Sequence, residues 1–126
     1  MYQALHRVLN DPADSTEVTL VYGSKTEPDI LLRAELDELA TKHPAQLKLH
    51  YVLSDETPEG WAGEVGHVDQ EKIERLCPGP KADTLVFVCG VPPMYEALCG
   101  PRGEAELPDG TVLKELGYTK EMVYKF

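Results

Sequence analysis

The chain is predicted to adopt an α/β fold on a parallel sheet, because short β-branched runs alternate along it with stretches of helical spacing. Val18-Thr19-Leu20-Val21-Tyr22, Leu47-Lys48-Leu49-His50-Tyr51-Val52-Leu53 and Thr84-Leu85-Val86-Phe87-Val88 are the runs that carry this prediction. The last is apolar nearly throughout, as expected of a central parallel strand covered on both faces. At 126 residues, 42% hydrophobic and 27% charged, the chain has the size and balance of one ordinary domain with one core.

Taken in order, residues 1–9 read as a helix already under way, since Leu5, Val8 and Leu9 share a face while nothing upstream caps it. The first strand ends in Gly23-Ser24. Thr26 then caps a helix whose first turn holds Glu27, Pro28 and Asp29, with Leu32, Leu36, Leu39 and Ala40 on its buried face. Glu35, Asp37 and Glu38 fall on the polar side of that helix, as solvated charges. Residues 54–67 form a long turn-rich stretch just past the second strand, where open α/β sheets bind ligands. Trp61 is read there as a loop anchor. A helix over 69–76 follows, then the third strand, a helix starting at the prolines after Gly90, a polar surface excursion over 100–110 without assigned chemistry, a short helix over 112–116, and a last strand over 122–126.

Several function classes are excluded by composition. A formal charge of −10, with twelve Lys and Arg scattered rather than striped, disfavours nucleic acid. No apolar run reaches the roughly eighteen residues of a membrane span, so no membrane contact is expected from this chain. Cys77, Cys89 and Cys99 are too few and too far apart for a disulfide framework or a zinc site, which fits a reducing, cytoplasmic setting and predicts no metal. His6, His43, His50 and His67 are dispersed, no serine has nucleophile-elbow spacing, and no carboxylates form a recognisable pair.

The sharpest feature is Cys89-Gly90-Val91-Pro92-Pro93-Met94, set between an apolar strand and a helix start. Gly90 lets a flat ring or a phosphate approach the backbone. Pro92 and Pro93 fix the turn and suit the first helical positions, leaving free amides pointing outward. A nucleotide is expected over that edge; the alternative is a buried strand cysteine before an ordinary turn.

This hexapeptide resembles the nicotinamide-contacting motif of the cytochrome b5 reductase and nitrate reductase flavoprotein group. The likeness extends to Tyr22-Gly23-Ser24-Lys25-Thr26-Glu27-Pro28-Asp29-Ile30-Leu31-Leu32-Arg33 and to Tyr51-Val52-Leu53 followed by Pro58-Glu59-Gly60-Trp61, covering practically the whole chain. It implies a Rossmann-like parallel sheet of the ferredoxin reductase C-terminal type, lacking its first, central strand. It also implies that Cys89 lies against the nicotinamide ring as a positioner rather than a nucleophile, with Gly90, Pro92, Pro93 and Met94 shaping the turn. Val91 stands where the family usually has a third proline, which loosens that turn.

The same resemblance implies that Gly23 and Ser24 belong to the nucleotide-binding edge. The acid that accepts from the adenosine ribose corresponds to Ser54 or Asp55: Asp55 would reject a 2′-phosphate, whereas Ser54 would admit NADPH as well as NADH. His67 replaces an aromatic that lines the adenine, its alternative being a plain loop histidine. Phe126 is either near the flavin or a final core residue.

What the resemblance also implies is incompleteness. The glycine-rich Gly-Gly-x-Gly-Ile-Thr-Pro loop, the strand before it and the FAD-binding domain are expected upstream of Met1. Residues 1–126 would then be one N-terminally truncated nicotinamide-nucleotide domain that binds no FAD and does not turn over alone. The whole protein would pass a hydride from NADH to FAD and electrons to cytochrome b5 or a similar one-electron acceptor, in the cytoplasm or on the cytosolic face of a membrane through an N-terminal anchor. Losing a central strand leaves an open seam, to be closed by direct pairing of the first and third strands or by dimerisation or strand swapping. The rival readings are a non-catalytic nucleotide-binding or interaction module, and the reductase part of a nitrate-reductase-like fusion.

Overall fold

Val18–Ser24 (β1) and Leu47–Leu53 (β2) run side by side in a parallel ladder, from Val18 opposite Leu47 to Ser24 opposite Leu53. The computed structural model describes all 126 residues and divides them into two compact units, Met1–Val68 and Asp69–Phe126.

In the first unit, helix α1 (Tyr2–Asn10) precedes β1, helix α2 (Arg33–Lys42) connects β1 to β2, and a two-residue strand β3 (Glu64–Val65) adds to β2 in parallel. Leu5 and Leu9 of α1, Leu36 and Leu39 of α2, and Leu47 of β2 form the core, flanked by Leu20, Tyr22, Leu49 and Tyr51. Each four-residue or three-residue spacing puts both leucines on one helical face. Burying each contributes roughly 1.5–3 kcal/mol.

The helix expected from Thr26 is instead broken. Thr26 begins a 3-10 turn over Glu27–Asp29, where the Asp29 carboxylate accepts from the Thr26 hydroxyl at 2.7 Å and from its backbone N–H at 3.1 Å. Leu32 then takes a left-handed φ of 57°, and α2 begins at Arg33. The core explains the break. On one continuous helix Ile30 would stand about 180° from Leu39, nine residues on, yet both are buried, at 7% and 6% exposure. Breaking the helix lets both face inward. Leu32, expected on the buried face, is 48% exposed. The strand β3 carries no sequence signal, since two residues are too few for a period.

The second unit contains α3 (Gln70–Leu76), β4 (Val86–Val88), α4 (Pro92–Leu98), α5 (Val112–Glu115) and β5 (Val123–Lys125), with β4 and β5 parallel. Asp69 caps α3 by accepting from the Lys72 N–H at 3.0 Å. Val88, Tyr95, Leu98, Cys99, Leu107, Leu113 and Tyr118 are buried. The third predicted strand is shorter than expected and is not covered on both faces: Leu85 is 70% and Phe87 44% exposed. Alternation is the reason. Val88 points into the core, whereas Phe87 lies with Tyr124 and Phe126 in edge-on ring contacts on the open face. The last strand is likewise trimmed, because Lys120–Met122 forms a 3-10 turn before it.

The polar excursion over 100–110 is more ordered than its composition suggests. The Lys125 ammonium donates to the carbonyls of Pro101, Glu104 and Glu106 at 3.2, 2.7 and 3.2 Å. Strands β1 and β4 belong to different sheets, so the expected direct pairing of the first and third strands is not formed. No helix is long and apolar enough to cross a membrane.

Candidate functional site

At the carboxyl end of the first unit's sheet, β1 runs two residues farther than expected, so Gly23 and Ser24 are ladder residues opposite Val52 and Leu53. The Ser54 N–H donates to Ser24 O at 3.0 Å and the Asp55 N–H to Lys25 O at 2.9 Å, which draws the two segments together. The Ser54 hydroxyl donates to the Asp55 carboxylate at 2.7 Å. With that proton committed, the pair presents only acceptors, a set matched to the hydroxyls of a ribose.

Gly66, at φ 96°, donates its N–H to Leu53 O at 2.8 Å and turns the chain so that the next residue, His67, is exposed. Only glycine takes that conformation cheaply. Val68 returns over Gly23, its Cγ2 standing 3.5 Å from where a Cβ would sit. Gly23, Ser24, Ser54, Asp55 and His67 thus gather at one end of one sheet.

The first unit also has a hollow of about 410 Å³, lined by Glu27, Arg33, Tyr51 and residues 58–64. Its residues were not legible locally, because Arg33 and Trp61 come from a helix start and a distant loop. The Arg33 guanidinium pairs with Glu27 at 2.5 Å and lies 5.5 and 5.6 Å from the ring centres of Tyr51 and Trp61. The Tyr51 hydroxyl donates to Asp37 at 2.7 Å; burial first, and then this bond, push the phenol's pKa up. Asp37 is therefore a structural acceptor, not the merely solvating charge expected. Trp61 is anchored as expected, its Nε1–H donating to Glu64 O at 3.0 Å.

In the second unit, the candidate element is the turn after β4. Cys89 is exposed, so the buried-cysteine alternative fails; the buried cysteine is Cys99. Gly90 is exposed too, and a Cβ there would strike the Met94 sulfur. Pro92 and Pro93 occupy the first helical positions as expected, but the free amides do not follow. Prolines have no N–H, and the N–H groups of Met94 and Tyr95 both donate to Val91 O, at 3.0 and 3.3 Å. The helix start therefore offers no phosphate cradle. It offers bare backbone and a thiol, which suits the face of a flat ring.

Phe126 is tied to the same turn. Its N–H donates to Val88 O at 3.0 Å, and the buried Tyr95 hydroxyl donates to its carbonyl at 2.6 Å. At 36% exposure Phe126 is not a closed core residue; it stacks edge-on with Tyr124, centres 4.9 Å apart. Tyr95 gave no sequence signal, since a tyrosine inside a short helix has no motif of its own.

Residues 1–100 match the family described as the oxidoreductase NAD-binding domain. NADH-cytochrome b5 reductase 2 of Meyerozyma guilliermondii is 47% identical over 130 residues, covering all of this chain and 43% of that protein. Its Debaryomyces hansenii counterpart is 46% identical over 129 residues, covering 100% and 42%. The cytochrome b5 reductase domain of Ulva prolifera nitrate reductase superposes with a TM-score of 0.84 at 35% identity, covering 100% of this chain and 43% of that one. The CS-b5R domains of human Ncb5or in the NAD+ form give 0.73 at 30%, covering 97% and 31%. The chain spans about two fifths of the length of these reductase relatives. It belongs to the oxidoreductase NAD-binding domain family, as an NAD-binding domain of the cytochrome b5 reductase type.

Proposed function

We propose that residues 1–126 act as one nicotinamide-nucleotide domain, the end of the β1–β2 ladder suiting the adenosine part of NADH and the turn after β4 suiting a nicotinamide ring. The observation that carries this reading is the exposed thiol of Cys89 beside bare Gly90 at the end of β4. Cys89 sets the distance and angle of the ring, and Gly90 admits it. Pro92, Pro93 and Met94 hold the turn, and Phe126 bounds it on the flavin side. Gly23 and Ser24 leave the edge of β1 open to the nucleotide. The Ser54 and Asp55 oxygens accept from the ribose, and His67 lies along the adenine. The Asp55 charge repels a 2′-phosphate, so NADH is preferred over NADPH.

In the whole protein, we infer, the hydride passes from NADH to FAD held by a separate domain, and electrons go on to cytochrome b5 or a similar one-electron acceptor. FAD, when bound there, supplies the conversion from two-electron to one-electron chemistry. This chain contributes alignment and exclusion of water. The open edges of β1 and β4 favour cover by a further strand, including one from a second copy. The likeness to the nitrate reductase domain favours, as a second reading, the reductase portion of a multidomain fusion. A setting in the cytoplasm or at the cytosolic face of a membrane suits either.

Parallel titration of the chain with NADH and NADPH, followed by ferricyanide, tests the proposal. Saturable binding with tighter NADH affinity and no ferricyanide reduction is expected. Appreciable flavin-free reduction defeats the mechanism, and absence of binding defeats the assignment.

A further inference from the structure

The hollow beside residues 58–64 is organised around one cation. Arg33 begins α2 immediately after the left-handed Leu32, a conformation that non-glycine residues hold only when surroundings require it. From there its guanidinium meets three elements of the first unit. It pairs with Glu27 of the 3-10 turn, lies 5.5 Å from the Tyr51 ring of β2, and lies 5.6 Å from the Trp61 ring of the loop.

The loop transmits that contact onward. Trp61 lies over Gly63, where a Cβ would come within 2.6 Å of the indole and 2.8 Å of Tyr51 O, so the indole and the edge of β2 sandwich the loop backbone. The indole N–H holds Glu64 O at 3.0 Å. Glu64 and Val65 pair with Val52 and Leu53, Gly66 donates to Leu53 O, and His67 follows. β3 is only two residues long, so its own ladder is too short to fix His67. Through Trp61, Arg33 supplies a further tie to this loop.

We infer that Arg33 is a positioning residue for the adenosine end of the nucleotide: in cation–π contact with Trp61, it clamps residues 58–64 against β2 and thereby sets β3 and His67. The inference rests on the proposed reading of Ser54, Asp55 and His67, and adds to it a residue outside every segment that faces the nucleotide. Charge alone does not suffice, because a broad guanidinium reaches both rings while keeping its ion pair.

Trp61 is the chain's single tryptophan, so its fluorescence reports the loop directly. The test compares the chain with Arg33→Met and Arg33→Lys, using acrylamide quenching, amide exchange at 62–67, and titration with ADP-ribose and with nicotinamide mononucleotide. Arg33→Met should red-shift Trp61 emission, raise quenching and speed exchange. It should weaken ADP-ribose about tenfold, the scale of two lost cation–π contacts, and leave the mononucleotide unchanged. Arg33→Lys, folded and charged but without the planar group, should fall between.

Unchanged Trp61 emission and exchange in Arg33→Met overturn the clamp. A loosened loop with undiminished ADP-ribose affinity overturns its role in positioning. A parent chain that binds neither fragment defeats the nucleotide reading and the adenosine role with it, while the Trp61 readouts still decide whether Arg33 holds the loop.

Discussion

The hydroxyl of Tyr95 donates to the carbonyl oxygen of Phe126 at 2.6 Å, with Val88 O as a longer alternative at 3.3 Å. One buried side chain on α4 thus ties β5 to the end of β4, one residue before Cys89. Tyr95→Phe keeps the ring and removes only the bond. Unfolding free energy should fall by about 0.5–1.5 kcal/mol, and amide exchange at Phe126 should quicken. Denaturant titration and exchange measurements check this; unchanged protection at Phe126 would show the hydroxyl to be idle.

Cys89 is exposed and in no disulfide, and serine is close to it in size. Cys89→Ser should leave thermal stability and NADH affinity near those of the parent. In a flavin-bearing form of the protein it should slow flavin reduction at saturating NADH by about tenfold to a hundredfold, the scale of a small misplacement of reacting groups. Stopped-flow reduction, with Kd measured separately, distinguishes the two effects. A rise in Kd at constant rate would make Cys89 a binding residue instead.

The second strand was legible residue for residue, because Leu47–Leu53 is bounded by turn formers and carries enough residues for a period. The Thr26 helix was misplaced because capping residues specify where a turn starts, while the burial of both Ile30 and Leu39 decides whether it continues. The Cys89 turn was legible as a motif, but the fate of its amides was not. That depended on Val91 O accepting from both Met94 and Tyr95, which a list of helix-start residues does not reveal. The roles of Arg33 and Tyr95 were not legible, since each acts on a residue 28 or 31 positions away, at Trp61 and Phe126.

Gly100 has φ 80°, and a Cβ there would stand 2.5 Å from Pro108 Cδ. The loop closed by Lys125 needs that approach. Gly100→Ala combines a disfavoured conformation with a collision against a rigid ring, and should destabilise by about 1–3 kcal/mol. Lys125→Met removes the donor to three carbonyls and should open residues 101–106 to protease, with less effect on global stability. Limited proteolysis alongside thermal unfolding separates them, and a protected loop in Lys125→Met would refute the clasp.

Leu113 is 1% exposed in the second unit. Leu113→Ala should cost about 2–5 kcal/mol, because the surroundings of α5 relax only partly into the cavity. A loss below about 1 kcal/mol, read from urea unfolding, would mean that the unit is more loosely packed than its burial implies.

Asp69 supplies the pH dependence of α3. The N–H bond from Lys72 lowers its carboxyl below the ordinary 3.8, helped by the Lys72 ammonium at 3.3 Å. A depressed folded pKa means that the carboxylate's contribution is fully present above about pH 3.8 and is lost as pH falls through the lowered value. Asp69→Asn keeps a competent cap but does not titrate, and it leaves the buried Lys72 without a counter-charge. The variant should therefore be less stable than the parent at neutral pH. The gap should narrow as the solution is acidified below pH 3.8, followed by urea unfolding at stepped pH. A gap that stays constant into strong acid would show that Asp69 acts through its hydrogen bond alone and not through its charge.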